Sequence, residues 1–226
     1  EWPPPAHARA NAGGGQRCGG LHAAELLLLS VDLAESAAMQ TRGDWVAAGR
    51  RLAEIAGKLQ RAGADVIILA TNTMHKVADE IEAAISVPFL HIADATAQEI
   101  RAAGLSRPAM MATAYTMEQD FYVGRLHERF GFDVMVPDEA DRRETHRIIY
   151  EELCKGIVAE QSRNSYEAIA GRLKQRGADC LILGCTEVAM LLNAQNVSIP
   201  VFDTAIIHAN AAVDFVLADY NLKAAE

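Results

Sequence analysis

Apolar and polar positions along this chain alternate between two periods. Short apolar runs at 26–29, within the stretch 25–31, and at 66–69, 108–112 and 180–183 have strand length, and apolar-rich segments stand at 87–92, 133–136 and 200–202. Between them apolar residues recur at helical spacing. In 45–61, Trp45, Leu52, Ile55 and Leu59 share one side, and comparable patterns predict helices over 75–85, 95–103, 116–130, 142–158, 162–176 and 205–220. Strands that are apolar on both faces and alternate with helices predict an α/β protein, with parallel sheets covered by helices.

An internal repeat refines this. Leu59-Gln60-Arg61-Ala62-Gly63-Ala64-Asp65 runs into the apolar stretch 66–69, and Leu173-Lys174-Gln175-Arg176-Gly177-Ala178-Asp179 runs into 180–183, the two aligned at a constant offset of 114 with Leu59, Gly63, Ala64 and Asp65 identical in the second copy. With one residue inserted beyond the strand, Ala70-Thr71-Asn72 corresponds to Cys185-Thr186-Glu187, and further on Ser86-Val87-Pro88-Phe89 echoes Ser198-Ile199-Pro200-Val201. Two similar halves predict a pseudo-twofold molecule with its active site in the cleft between two domains, where ligands of open α/β sheets bind. In that arrangement Thr71 and Cys185 face each other across the cleft. The expected division is a poorly packed arm at 1–18, a first domain from 19–94 plus 206–226, and a second from 95–205. The arm is rich in Pro, Gly and Ala and holds no Leu, Ile, Val, Phe or Met.

The 226 residues carry a formal net charge of −9. Without a basic tract this argues against nucleic acid as the main partner, because phosphate contacts dominate that affinity. No apolar run reaches the ~18 residues of a membrane span, and no signal peptide is visible, so a cytoplasmic location is expected. Cys18, Cys154, Cys180 and Cys185 form no CxxC pair and no zinc-type spacing with the seven His. Reduced thiols are expected, and no metal site.

Three turns carry candidate chemistry. Gly184-Cys185-Thr186-Glu187 follows a buried strand, where backbone N–H groups can hold an anion and tune a thiol. Thr71-Asn72-Thr73 occupies the equivalent turn of the first half, and Thr113-Ala114-Tyr115-Thr116 ends the strand at 108–112. Each turn also suits plain helix capping, and Cys185 also suits a small buried apolar residue. Lys155 precedes Gly156 at a helix end, where a cation complements the dipole. His75 reads as structural before catalytic, His91 and His208 suit either role, and Asp94 and Asp203 read as helix caps.

Several stretches together resemble the cofactor-independent aspartate/glutamate racemase superfamily, and most of all its bacterial amino-acid racemases. They are Gly19-Gly20-Leu21-His22, Ser30-Val31-Asp32, Thr71-Asn72-Thr73-Met74-His75-Lys76, His91-Ile92-Ala93-Asp94-Ala95-Thr96, Tyr115-Thr116-Met117-Glu118-Gln119-Asp120-Phe121-Tyr122, Gly184-Cys185-Thr186-Glu187 and Phe202-Asp203-Thr204-Ala205. The resemblance implies racemisation of a small amino acid without pyridoxal phosphate or metal. Two cysteines act on opposite faces of Cα, one as base and one as acid. It implies substrate binding by Thr71, Asn72, Thr73, Thr113, Thr116, Lys155, Thr186 and Glu187, and a homodimer as the assembly common in the family. Cys185 matches the second cysteine. The first is expected at position 70, where this chain has Ala70, and the Arg usual before the Tyr of the third turn is Ala114. Against the family's pattern the N-terminal strand and Gly-rich turn are missing from this sequence, and the arm stands in the place of the helix expected to follow them. Two alternatives follow from a single thiol: a decarboxylase-like enzyme, and a racemase-fold protein that binds amino acids without turnover.

Overall fold

The computed structural model describes residues 24–224, with side chains through 218; the arm expected at 1–18 lies outside the described residues. The described chain divides into two compact units. One comprises the residues up to Ala70, Met74–His91 and those from His208 on, and the other Thr71–Thr73 with Ile92–Ile207.

In the first of these, α1 (Leu33–Arg42) and α2 (Trp45–Arg61) are joined by a tight turn. Asp32 caps α1 by accepting from the Ala34 N–H, and Asp44 caps α2 by accepting from the Ala47 N–H. Gly43, at φ 68°, ends α1 in the left-handed conformation that suits glycine. The sequence pattern did not announce α1, whose apolar stripe is short. After α2 come β1 (Ile67–Ile68), a 3₁₀ turn (Thr73–Val77), α3 (Ala78–Ala83) and β2 (Phe89–Leu90). β1 and β2 pair in parallel, Ile67 opposite Phe89 and Ile68 opposite Leu90. Leu52, Ala56, Ile67, Met74, Val77 and Ile81 form the buried core.

The strand expected at 25–31 is absent. Residues 24–32 have no regular structure, and Leu26, Leu27, Leu28, Leu29 and Val31 are exposed, Leu28 at 69%. An apolar run becomes a strand only where a neighbouring edge takes up its N–H and C=O groups. Among the described residues β1 pairs with β2 alone.

The other unit starts with α4 (Ile92–Ala102) and β3 (Pro108–Ala112). Next come α5 (Ala114–Glu118), α6 (Asp120–Phe130), α7 (Glu139–Glu151), a 3₁₀ turn (Leu153–Lys155) and α8 (Glu160–Gln175). The unit closes with β4 (Cys180–Gly184), a 3₁₀ turn (Val188–Met190), β5 (Val201–Asp203) and the start of α9 (Thr204–Ala224). The three strands make a parallel sheet in the order β3-β4-β5, Pro108 opposite Cys180 and Leu181 opposite Val201. All of β3 and β4 is buried, and the pleat sorts its side chains. Ala109, Met111, Leu181 and Leu183 pack with α7 and α8 on one face. Met110, Ala112, Cys180 and Ile182 pack with α4 and α6 on the other. Helices on both faces of a parallel sheet are what uninterrupted apolar strands require.

Several expected boundaries move. The helix read over 116–130 is two, because Gln119 is extended (φ −103°, ψ 150°), a break that no Gly or Pro signals. The helix read over 142–158 starts earlier, capped by Asp138, and ends at Glu151; Gly156 at φ 75° closes the 3₁₀ turn after it. The strand expected at 133–136 reduces to one bridge from Met135 to Ala109. Asp203 caps α9 by accepting from the Ala205 and Ile206 amides. Asp94 is no cap: it lies in α4 and takes a two-pronged ion pair from Arg125 of α6.

Candidate functional site

The end of β4 delivers Cys185. Residue 184 is glycine because its partner across the ladder is close: a Cβ there would meet that of Ala112 at 2.9 Å. The chain then turns into the 3₁₀ segment capped by Glu187. The Cys185 thiol donates to Glu187 Oε2 at 2.9 Å, and the Thr186 hydroxyl donates to the same oxygen. Burial, followed by the charge and hydrogen bond of Glu187, pushes the Cys185 thiol well above its ordinary range. At rest it is therefore a neutral thiol, a group that can give a proton.

The β3 end delivers a second group. Thr113 caps α5 by accepting from the Thr116 N–H. The hydroxyls of Thr73, Thr113 and Thr116 form a triangle with sides of 2.9, 3.1 and 3.2 Å, and all three residues are buried. Asn72, one residue earlier, donates through Nδ2 to the Thr204 hydroxyl at 2.9 Å. That hydroxyl has one proton, which it gives to the Leu183 carbonyl. Thr204 must therefore accept from Asn72, so the amide orientation is set. Asn72 Oδ1 is left buried without a hydrogen-bond partner. A buried acceptor in that state is costly unless a ligand donor satisfies it.

The sequence-derived candidates thus fall into groups. Thr73, Thr113 and Thr116 meet, Asn72 is tied to the β4 end through Thr204, and Cys185, Thr186 and Glu187 share one turn. Thr71 is half-buried at the head of its turn, and Ala70 is exposed. Lys155 is exposed at the end of its 3₁₀ turn and makes no ion pair among the described residues.

Sequence reasoning missed a surrounding set. Cys154, reduced like Cys180 and Cys185, is pushed up to about 11 by burial and by Glu187. Burial raises the Tyr150 phenol further still, with the Cys185 charge the next contribution. The Tyr166 hydroxyl donates to the Thr145 carbonyl at 2.8 Å. These residues lie on α7, the turn after it and α8, where helical periodicity marks them simply as core. Thr204 had a signal, since it lies in one of the family-like stretches.

The repeat is structural as well as sequential. α2 and α8 end at Arg61 and Gln175. The capping residues Ala62 (φ −81°, ψ 0°) and Arg176 (φ −75°, ψ −3°) adopt the same conformation. Gly63 and Gly177 then follow at φ 101° and 98°. Ile67 pairs with Phe89 as Leu181 pairs with Val201. Counted onward from these strands, Thr71 is the equivalent of Cys185. Counted back from the 3₁₀ turns that begin at Thr73 and Val188, Ala70 is.

Comparison with known proteins places these features in context. The profile of a family described as Asp/Glu/Hydantoin racemase matches residues 10–212. A crystal structure from Yersinia pestis, described as that of a candidate Asp/Glu racemase, is 49% identical with a TM-score of 0.88, covering 94% of this chain and 92% of that one. An aspartate racemase homologue from Pyrococcus horikoshii is 31% identical with a TM-score of 0.79, covering 93% and 92%. The broad specificity amino-acid racemase RacX of Bacillus subtilis is 28% identical over 163 residues, which are 71% of this chain and 69% of that protein.

Proposed function

Because the chain belongs to the Asp/Glu/Hydantoin racemase family, we propose that it is an amino-acid racemase that inverts Cα by acid–base chemistry of its own side chains, without pyridoxal phosphate or a metal. Small and acidic amino acids are its substrates in this reading, and the cytoplasm its location, where thiols stay reduced. The observation that carries the reading is the Cys185–Glu187 hydrogen bond at a strand end, together with Asn72 Oδ1, a buried acceptor left without a hydrogen-bond partner.

Inversion through a planar carbanion needs an acid on one face of Cα and a base on the other. Cys185 supplies one. In its resting state it is the acid; it becomes a base when its proton passes to Glu187, a step that a nearby substrate ammonium favours by stabilising the thiolate. Asn72 Oδ1 is an acceptor and suits that ammonium. The threonine hydroxyls can turn their protons toward the α-carboxylate.

For the opposite face the reading favours Thr71 over Ala70 as the residue at the first cysteine's position. The strand sets which way the first residues beyond it point, and the count from the strand pairs Thr71 with Cys185. Thr71 is also half-buried like Cys185, whereas Ala70 is exposed. A threonine hydroxyl is a far weaker acid than a thiol, so exchange at Cα outpaces inversion.

The test is chiral chromatography of aspartate and glutamate, run beside NMR of the α-proton in heavy water. The parent chain is expected to exchange the α-proton of one enantiomer with slow inversion, and Cys185→Ala to abolish both. Thr71→Cys is expected to raise inversion by roughly 10²–10⁴-fold, the usual worth of a positioned general acid or base, and Ala70→Cys to leave it unchanged. Inversion that survives Cys185→Ala overturns the assignment. A gain from Ala70→Cys alone returns the first cysteine's place to position 70.

A further inference from the structure

The first helical residue after a cap has an N–H with no partner inside its own helix. In α5 that residue is Ala114, and its N–H is taken by a side chain from α7: it donates to His146 Nδ1 at 3.2 Å. An amide can only donate, so Nδ1 must hold a lone pair, and His146 is the neutral tautomer with its proton on Nε2. The ring is held on both sides. Tyr115 meets it edge-on at 5.7 Å between centroids, and Tyr150 lies tilted at 4.7 Å. Glu118 of α5 is the carboxylate that faces it, and that charge is paired with Arg142 of α7. Burial holds the Tyr150 phenol above its ordinary range, so it adds no charge near neutral pH. Ala114 in turn sits between Thr113, which caps the helix, and Thr116, so the same short helix carries two corners of the threonine triangle.

We infer that His146 is a positioning residue, an acid-released latch that holds the first turn of α5, and with it Thr113 and Thr116, in place only while its imidazole is neutral. Protonation turns Nδ1 from acceptor to donor. Two N–H groups then point at each other across 3.2 Å, and the Ala114 amide loses its partner. The direction of the effect follows from the surroundings. Partial burial lowers the imidazole's affinity for a proton below its ordinary value near 6.5, and Glu118 opposes this only in part. A base whose proton affinity is lower in the fold than in the open chain keeps its contribution above the ordinary value and loses it as pH falls through the folded value. The latch is thus closed at neutral pH and released by mild acid. That this weakens the hold on a substrate carboxylate rests on the function proposed above; the latch itself does not.

The test therefore uses no turnover. In ¹H–¹⁵N spectra of the full chain between pH 8 and 5, the Ala114 amide is expected to titrate in step with the His146 ring. Hydrogen exchange at Thr116 and Met117 is expected to accelerate on the order of tenfold beyond the intrinsic pH effect, as for loss of one part-buried hydrogen bond. His146→Phe keeps a ring but no acceptor, and should show the accelerated exchange already at pH 8. His146→Asn, whose Oδ1 can accept in place of Nδ1 and does not titrate, should restore protection at both ends of the range. An Ala114 amide indifferent to the imidazole's titration overturns the inference. So does equal protection in the Phe variant and the parent, or an Asn variant that behaves like Phe.

Discussion

At Cys185 two influences act in the same direction. Burial disfavours the thiolate, and the Glu187 carboxylate, which accepts the thiol proton, disfavours it again. Only the second can be removed by substitution without opening the core. Glu187→Gln keeps an acceptor near the sulfur and deletes the charge, so the thiol is expected to ionise at lower pH, though still above the usual value near 8.5 because burial remains. The rate of Cys185 alkylation against pH, read by mass spectrometry of the peptide, reports the midpoint. A midpoint unmoved or raised in the Gln variant would show that Glu187 does not bear on the thiol. Cys154 offers an internal check, since its own rise to about 11 owes part to the same carboxylate.

Among the elements, the β3–β4 ladder has least room for change at its end. Ala112 lies opposite Gly184, one residue before Cys185, and a methyl group on Gly184 would meet the Ala112 Cβ at 2.9 Å, with Met110 Cγ next at 3.3 Å. Both near atoms belong to side chains with no exposure, so neither can swing aside. Gly184→Ala is expected to cost about 1–3 kcal/mol in urea unfolding, the range for overpacking a filled core. Adding Ala112→Gly vacates the contested space and should recover most of the loss. If the double variant is no more stable than Gly184→Ala alone, the cost lies in the backbone and not in the collision of two methyl groups. The conformation at Gly184 itself demands no glycine, since it is absent from the positive-φ residues.

For the molecule as a whole, the conspicuous surface feature is the apolar run Leu26–Leu29 with Val31 and Leu33, all exposed. A contiguous exposed apolar patch is a site of association. Leu28→Lys is expected to lower light scattering on concentration while leaving the thermal midpoint unchanged, because a surface substitution away from packed features stays within about ±0.5 kcal/mol. A large fall in the midpoint would place Leu28 in packed structure. Among the described residues no helix is long and apolar enough to cross a membrane.

By itself the sequence determined what rests on local pattern. Apolar runs marked β3 and β4, since a strand buried on both faces has to be apolar throughout. The helical stripe of Trp45, Leu52, Ile55 and Leu59 marked α2, and the repeat marked two equivalent strand ends with polar turns. Gly184-Cys185-Thr186-Glu187 and the Thr113 cap were legible because turns and caps draw on few residue types. Tertiary structure decided everything that depends on a partner distant in the chain. Residues 25–31 carry a strand's composition but pair with no edge among the described residues, and a strand is half of a pair. Asn72 is oriented by Thr204, 132 residues away, and Thr73 meets Thr113 and Thr116 40 and 43 residues away. His146 looks like one more residue on an amphipathic helix until α5 brings the Ala114 amide to its ring. Hydrogen-bond partnership across such separations leaves no period in the sequence, because it is set by where packed elements come to rest and not by the residues on either side.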